Sequence, residues 1–378
     1  MSTVQEEHSN RSFTYNALSQ VTAETRTIGS TTATVGYGYD ATTGDLISMS
    51  YPSGRVLTFT RGSMGQVTGI QLDGSPVATD IQSLPFGPVR SLTVGTSTPS
   101  RTFDRRYQIS RIQAGPFDLQ YTRDAASRVS GVSGNFEPTF TAATADTAIN
   151  SDNNQVAAWT HDANGNVTSD GVFTYTWNAL GRLLQVERDS TVVAVYAYDS
   201  RNRRISKTVG EQTIHYHYDL NNHLIAESLA DGTPLREYLY LDNEPLAMRE
   251  YQTNPGCYYF INDHLGTPQQ LVTTTGTVVW QAAYLPYGEV QVQVNTVTNN
   301  LRFPGQYFDV ETGLHYNWNR YYDPVTGRYI SADPIGLEGG LNLYAYVSCN
   351  PVNAIDQKGL VDILFNVEES LILITGTE

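Results

Sequence analysis

Two acidic turns near the C-terminus carry residues whose types and spacing could do chemistry. Asp333 opens the segment DPIGL, and Asp356 opens the similar segment DQKGL 23 residues later. Two carboxylates held close together do not both ionise cheaply, so such a pair shares one proton. The ionised member can take a proton from water while the protonated member gives its proton to a leaving group. The pair is therefore a candidate for hydrolysis of the aspartic-protease kind.

The residues between the two acids predict how the carboxylates could meet. Gly339 and Gly340 predict a tight turn, the segment LNLYAY (341–346) alternates like a strand, and Asn350-Pro351 predicts another turn. A strand with a turn at each end can fold back and bring its flanking acids together. The sequence permits this arrangement without requiring it.

The acidic turns also have a purely structural interpretation. Asp-Pro and Asp-x-x-Gly are ordinary turn openers, because the Asp carboxylate accepts hydrogen bonds from nearby backbone N–H groups. A third copy, DPVTG, begins at Asp323 and has no claimed chemistry. Spacing alone therefore favours turns over catalysis.

The composition predicts an all-β protein. The chain has 378 residues, of which only 16% are charged, and it is rich in Tyr (25) and Gly (31). Tyr, Thr and Val favour strands, while Gly, Asn and Asp favour the turns between them. A net charge of −15 argues against a nucleic-acid-binding protein, which usually presents a basic surface.

Neither a disulfide framework nor a targeting segment is predicted. Cys257 and Cys349 are too few for a framework, and we expect free, partly buried thiols although a bridge between them stays open. Residues 1–10 lack the apolar stretch of a signal peptide. No apolar run is long enough for a transmembrane helix.

One short unit recurs along the chain. It consists of an aromatic residue, any residue, an aromatic residue or Asp, a polar turn, and then a basic residue with alternating apolar residues. Clear copies lie at 37–49, 121–132, 159–170, 175–186, 196–208 and 216–228, and fainter ones at 13–24 and 103–112.

Each unit is predicted to be a β-hairpin. In YAYDSRNRRISKT, Tyr196 and Tyr198 share one face of a strand, Asp199 opens the turn, and RRISKT is the return strand. A single hairpin cannot bury its own apolar face, so neighbouring hairpins must pair edge to edge. The predicted fold is all-β, a large curled antiparallel sheet of stacked hairpins with almost no helix.

These units resemble the tyrosine–aspartate repeats of the Rhs/YD-repeat family, which includes the C component of insecticidal toxin complexes and, more distantly, teneurins. The segments at 262–289 and 301–337 resemble the family's signature and its Rhs-associated core. The resemblance implies a hollow β-cocoon, forming part or all of a shell around a C-terminal toxin. It also implies three parts: a repeat shell (1–327), a core autoprotease segment (328–360) and a short tail (361–378).

The resemblance also implies roles for the two acids. In the family the corresponding aspartates cut the chain after the Leu of the second turn, here between Leu360 and Val361, with Leu360 in an apolar pocket. Two positions depart from relatives: Ala332 stands where some have Arg, and Gln357 where many have Pro. The residues assigned to the core-motif turns are Pro334, Gly336, Gly339, Gly340, Asn350, Pro351 and Gly359.

Other candidate sites have weaker support. His215 and His217 alternate on one strand near His223 and Asp219, which is compatible with zinc but more typical of aromatic packing. Asp263-His264 has no nucleophile beside it and is interpreted as a family turn. The basic cluster 201–207 (RNRRISK) is expected to be a solvated turn. No metal or cofactor is predicted.

The leading functional hypothesis is a bacterial shell that encloses its own C-terminal segment as cargo and releases it by one self-cleavage. It implies delivery from the cytoplasm by a specialised secretion system, with a secretion spike or toxin-complex subunit and an immunity protein as partners. The tail of residues 361–378 is too short for an enzyme of its own. The alternatives are a non-enzymatic cell-contact or glycan-binding protein, and a truncated orphan without active toxin.

Overall fold

The structure, a computed structural model, describes residues 2–85, 87–135, 147–360 and 363–364. It confirms the all-β prediction, with a difference in detail: the repeat strands form two large sheets rather than one. In each large sheet the strands follow one another in chain order.

The first large sheet has 13 strands. They are β1 (Ser2–Gln5), β2 (Ser9–Tyr15), β3 (Val21–Ile28), β4 (Thr31–Tyr39), β5 (Leu46–Ser50), β6 (Val56–Arg61), β7 (Val67–Leu72), β8 (Ser75–Ser83), β9 (Val89–Thr93), β10 (Ser100–Phe103), β11 (Ile109–Ala114), β12 (Phe117–Arg123) and β13 (Val129–Gly134).

The second large sheet has 14 strands. They are β14 (Thr160–His161), β15 (Val167–Ser169), β16 (Thr174–Trp177), β17 (Leu183–Arg188), β18 (Thr191–Tyr198), β19 (Arg204–Val209), β20 (Gln212–Tyr218), β21 (Leu224–Leu229), β22 (Pro234–Leu241), β23 (Glu244–Glu250), β24 (Gly256–Asn262), β25 (Pro268–Val272), β26 (Val278–Tyr284) and β27 (Val290–Asn295).

Shorter elements follow the repeats. A four-stranded sheet contains β28 (Tyr307–Phe308), β29 (His315–Asn317), β30 (Arg320–Asp323) and β31 (Arg328–Tyr329), and a last pair contains β32 (Ala354–Ile355) and β33 (Ile363–Leu364). Two short 3-10 helices span Gly336–Gly339 and Val347–Cys349. The described part of the chain contains no helix with the length and apolarity needed to span a bilayer.

The repeat turns are closed by their own acidic side chains. Asp199 follows β18, and its Oδ1 accepts hydrogen bonds from the backbone N–H groups of Arg201 and Arg203, both at 2.9 Å. Asp263 after β24 makes the same pair of bonds, to Leu265 and Thr267. A carboxylate that binds the second and fourth N–H groups after it therefore defines the turn, as the repeat pattern predicted.

The chain divides into two compact units. One comprises Met1–Gln120, Thr213–Ile261 and Gln270–Val279, and the other comprises Tyr121–Gln212, Asn262–Gln269 and Trp280–Glu378. The repeat turn at Asp199, the sheet β28–β31 and both candidate acids belong to the second unit.

Three of the four cations in the basic cluster 201–207 (Arg203, Arg204 and Lys207) are buried, so the prediction of a solvated turn is wrong for them, while Arg201 is exposed. Arg204 is 1% exposed and forms two hydrogen bonds with the carboxylate of Asp309, whose Oδ1 also lies 2.8 Å from Lys207 Nζ. Tyr316 lies under the Arg204 guanidinium at 4.4 Å. Burial is tolerated because each buried cation has an anionic partner: Asp199 for Arg203, Asp309 for Arg204, and Asp309 with Glu311 for Lys207.

Replacing Asp309 with Asn is expected to lower the free energy of unfolding by about 3 kcal/mol, because it leaves buried cations without a full counter-charge. Burial alone would raise the pKa of Asp309, but Arg204 and Lys207 hold it below its ordinary value. The stabilisation is therefore present above about pH 4 and is lost as the pH falls through that lowered pKa. Denaturant unfolding at pH 7 measures it, and Arg128→Ala, which removes an exposed ion pair, should have a much smaller effect.

Candidate functional site

The second acidic turn is built like a repeat turn. The backbone N–H groups of Lys358 and Leu360 donate to Asp356 Oδ1 at 3.2 and 3.0 Å, which are again the second and fourth residues after the acid. Asp356 is 1% exposed. Its Oδ1 therefore holds the predicted cleavage residue, and its Oδ2 is left for other partners.

The first acidic turn differs, so the two turns are not copies in backbone conformation. Asp333 Oδ1 accepts a hydrogen bond from the second residue, Ile335, at 3.0 Å, and the chain then enters the 3-10 helix Gly336–Gly339. A Cβ on Gly339 would collide with Asp333 Oδ2. This glycine therefore allows the helix to lie close to the carboxylate.

The predicted strand at 341–346 does not form. This segment consists of bends and turns with one isolated bridge, between Ala345 and Arg328. Its backbone instead supports the site, because Leu343 O accepts hydrogen bonds from Asp333 N at 3.0 Å and from Arg320 Nη1 at 3.2 Å. The predicted turn at Asn350-Pro351 is confirmed, with Asn350 O accepting from the N–H groups of Asn353 and Ala354.

Arg320, at the start of β30, joins the two acids. Its Nη2 lies 2.8 Å from Asp333 Oδ2 and 3.3 Å from Asp356 Oδ2, so the two carboxylate oxygens flank a single nitrogen atom. All three side chains are buried, with Asp333 the most exposed at 7%. The structure therefore brings together the two acids that the sequence identified, around a cation that it did not.

Two further side chains complete the site. The Tyr329 hydroxyl donates to Asp356 Oδ2 at 2.8 Å, and the Tyr329 ring lies 3.6 Å from the Arg320 guanidinium carbon. Burial, reinforced by the Asp356 charge, raises the pKa of Tyr329 well above its ordinary value, so this phenol keeps its proton. Asn317 Nδ2 donates to the Tyr329 hydroxyl and to the Asp356 backbone carbonyl, both at 2.8 Å.

The hairpin β29–β30 is what positions these groups. Asn317 and Arg320 are paired residues at its end, and neighbouring Tyr316 and Tyr321 are also paired. Tyr316 and Tyr321 contact Arg204, while Asn317 and Arg320 contact Asp356. Period-2 alternation within the two strands was the available signal, because it places Asn317 and Arg320 on one face and Tyr316 and Tyr321 on the other.

The chain near the predicted cleavage site is held both before and after Asp356. Arg320 Nε donates to Gly359 O at 2.6 Å, directly before Leu360. Leu360 is partly buried, and Val361 lies outside the described residues, as does most of the tail 361–378. β33 (Ile363–Leu364) pairs antiparallel with β32 (Ala354–Ile355), so the backbone reverses direction across the second acidic turn.

The histidine candidates have packing and hydrogen-bonding roles. His217 Nε2 lies 2.9 Å from Ser228 Oγ, and burial lowers the pKa of His217 to about 3. His223 Nδ1 lies 2.9 Å from Asp219 Oδ2. Among the described residues no group of three or more His, Cys, Asp or Glu side chains is placed to hold a metal ion.

The remaining sequence candidates are also accounted for. Asp263 closes a repeat turn, and His264 Nε2 lies 2.8 Å from the Val352 carbonyl oxygen, so this pair is structural. Cys257 and Cys349 are free thiols, the first partly buried and the second exposed.

Comparison with known proteins places the chain in a family. The family model for the teneurin YD-shell matches residues 89–351, more than half of the chain. The chain belongs to the teneurin YD-shell family. The matched range includes Arg320 and Asp333 and ends just before Asp356.

Curated relatives of this YD-shell chain include toxins. It is 34% identical over 209 residues to the tRNA nuclease WapA of Bacillus subtilis, covering 53% of this chain and 9% of WapA. It is 32% identical over 217 residues to the toxin protein Tse5 of Pseudomonas aeruginosa, covering 48% of this chain and 16% of Tse5. It is 47% identical over 112 residues to the putative uncharacterized protein YibJ of Escherichia coli, covering 29% of this chain and 48% of YibJ. The chain thus spans less than half of each relative.

Solved structures show the same fold. A crystal structure of TcdB2-TccC3 superposes with a TM-score of 0.72 at 16% identity, covering 93% of this chain and 24% of that chain. The same complex without its hypervariable C-terminal region gives a TM-score of 0.71. At this identity the likeness is one of fold alone, and it shows that this chain shares the β-fold of that part of TcdB2-TccC3.

Proposed function

We propose that this YD-shell chain encloses a C-terminal segment and cuts itself once between Leu360 and Val361. The observation that carries the proposal is the pair Asp333 and Asp356 on one nitrogen of Arg320, with the Leu360 N–H on the same Asp356 carboxylate. Similarity to the tRNA nuclease WapA and the toxin protein Tse5 and the fold shared with TcdB2-TccC3 support the enclosing role.

The reaction that we propose needs one proton on the pair of acids. One carboxylate then acts as the base, and one carboxylic acid acts as the proton donor.

Each part of the reaction has a group to perform it. The ionised carboxylate takes a proton from water as the water oxygen bonds to the Leu360 carbonyl carbon. The protonated carboxyl then gives its proton to the Val361 nitrogen as the C–N bond breaks, so one water is consumed and the pair again holds one proton. Arg320 holds Gly359 O, and Tyr329 and Asn317 keep Asp356 in place throughout.

The proposal also extends to delivery and partners. Because the fold is shared with a toxin-complex assembly, we propose a toxin-complex subunit or a secretion spike as the partner, with export from a bacterial cell and an immunity protein for the cargo. The cargo here is the segment that begins at Val361.

The test is the intact mass of the purified chain. We expect two products, residues 1–360 and 361–378, separable under denaturing conditions. A chain that stays at full length after prolonged incubation between pH 4 and 8 (about the range in which buried carboxyls titrate) would contradict the proposal.

A further inference from the structure

The tip of the hairpin β29–β30 lies between a repeat turn and the chain segment before the predicted cut. On one side, the backbone N–H and the side-chain Nδ2 of Asn319 both donate to Lys358 O, at 3.2 and 3.0 Å. On the other side, Asn319 Oδ1 accepts a hydrogen bond from Asn202 Nδ2 at 3.0 Å. One amide side chain therefore connects the two turns.

Consecutive residues of this tip hold consecutive carbonyl groups of the chain. Asn319 holds the carbonyl of Lys358, and Arg320 holds the carbonyl of Gly359 at 2.6 Å. The next residue, Leu360, is held through its N–H by Asp356. The backbone is thus fixed at three successive residues, and only main-chain atoms of those residues take part in these bonds.

The repeat turn at Asp199 provides a rigid support for the tip. Its carboxylate binds two backbone N–H groups and also the Arg203 Nε at 2.8 Å, and both of these side chains are buried. The Trp318 indole N–H adds a second link by donating to Arg201 O at 2.8 Å. Asn202 adopts a left-handed conformation (φ 63°) within this turn.

We propose that Asn319 is a positioning residue that fixes the cut segment relative to the repeat turn Asp199–Arg203. This inference rests on the proposed self-cleavage and adds a requirement to it. In the described hydrogen bonds and ion pairs Asn319 contacts neither acid, and it acts by holding the Lys358 carbonyl in register. Cleavage consequently depends on a folded repeat hairpin, because a displaced turn no longer orients the Asn319 amide.

The variant Asn319→Asp separates the two halves of this link. A carboxylate can still accept the hydrogen bond from Asn202, but it has no proton to donate to Lys358 O. We expect cleavage about five- to tenfold slower than wild type at pH 7, the effect of losing one neutral hydrogen bond. The ratio of variant to wild-type rate should rise below about pH 4, where the introduced carboxyl is protonated and can donate again.

Asn342→Asp is the matched control, because it adds the same charge and its side-chain oxygen can still accept from Tyr344 N. It should cleave at the wild-type rate at every pH. A merely structural role for Asn319 would lower the unfolding midpoint and leave the rate ratio independent of pH. Equal rates for Asn319→Asp and wild type would overturn the inference while leaving the proposed cleavage intact.

Hydrogen exchange in an uncut background keeps the inference testable if the chain does not cleave. In Asp333→Asn protein, adding Asn319→Asp should speed amide exchange in the peptide that contains Lys358, Gly359 and Leu360, with unchanged exchange in the repeat strands. Unchanged exchange in that peptide would overturn the inference. Absence of wild-type cleavage would overturn the proposed function, and the exchange experiment would then still decide whether Asn319 holds this segment.

Discussion

Replacing either Asp333 or Asp356 with Asn is expected to abolish self-cleavage. Each change removes one ionisable member of the pair, so the site loses either its base or its proton donor. General acid–base catalysis by one group contributes about a hundredfold to ten-thousandfold, so the uncut chain should be the sole species at times when wild type is fully cut. The fraction of cut chain, followed over time on denaturing gels and by mass, is the measurement.

Asp323→Asn is the matched control for these variants. Asp323 also precedes a proline, and its Oδ1 accepts a hydrogen bond from Val325 N at 3.0 Å, which an amide oxygen can still accept. It contacts neither acid in the described hydrogen bonds and ion pairs. Cleavage should therefore continue at the wild-type rate in Asp323→Asn, whereas continued cleavage in Asp333→Asn or Asp356→Asn would show that the pair is structural.

Gly359→Ala is expected to have the second large effect. Gly359 has φ 66°, a conformation that is unfavourable for residues with a Cβ, and a Cβ there would lie 2.5 Å from Asn317 O and 3.2 Å from Arg320 N. Left-handed strain costs about 1–2 kcal/mol, and overpacking adds about 1–3. Since the atoms approached are backbone atoms of the hairpin that carries Arg320, we expect cleavage to fall by an amount comparable to that in the Asp variants.

Gly336→Ala separates strain from collision. Gly336 has a similar φ of 62°, but a Cβ there would meet no atom within 4 Å. Denaturant unfolding should show a loss of about 1–2 kcal/mol for Gly336→Ala and a larger loss for Gly359→Ala. Equal losses in the two variants, with cleavage retained in both, would mean that the backbone at Gly359 can move away from the hairpin.

The repeat architecture could be predicted because the residues of each unit determine its strand and turn locally. Alternating tyrosines predict the strand, and an acid followed by polar residues predicts the turn, as Tyr196, Tyr198 and Asp199 illustrate. How these hairpins divide into two sheets depends on pairing between strands. The division into two sheets therefore could not be predicted from the sequence of any single repeat.

The candidate acids could also be predicted, but their surroundings could not. Arg320 lies 13 residues before Asp333 in the chain and reaches both acids only because the hairpin β29–β30 turns it toward them. The prediction of a strand at 341–346 failed although apolar and polar residues alternate there. The backbone of this segment instead bonds to the site, because Leu343 O accepts hydrogen bonds from Arg320 and Asp333. The cluster at 201–207 was misjudged because its counter-charge, Asp309, is more than 100 residues away.

The two departures from the family pattern have structural explanations. Ala332 leaves no cation next to Asp333, and Arg320 supplies one from another strand. Gln357 replaces a proline that many relatives have, but its carbonyl approaches Gly305 so closely that a Cβ on Gly305 would collide with it. The position of residue 357 is thus set through its main chain, and the assignment of parts at 1–327, 328–360 and 361–378 stays a prediction.

The most direct test of the account is to identify the new chain ends by tandem mass spectrometry of the wild-type protein. We expect a shell that ends at Leu360 and a fragment that begins at Val361, both missing when Asp333 or Asp356 is replaced by Asn. A chain intact across this bond under the conditions given above, or a cut at another bond that persists in both variants, would contradict it.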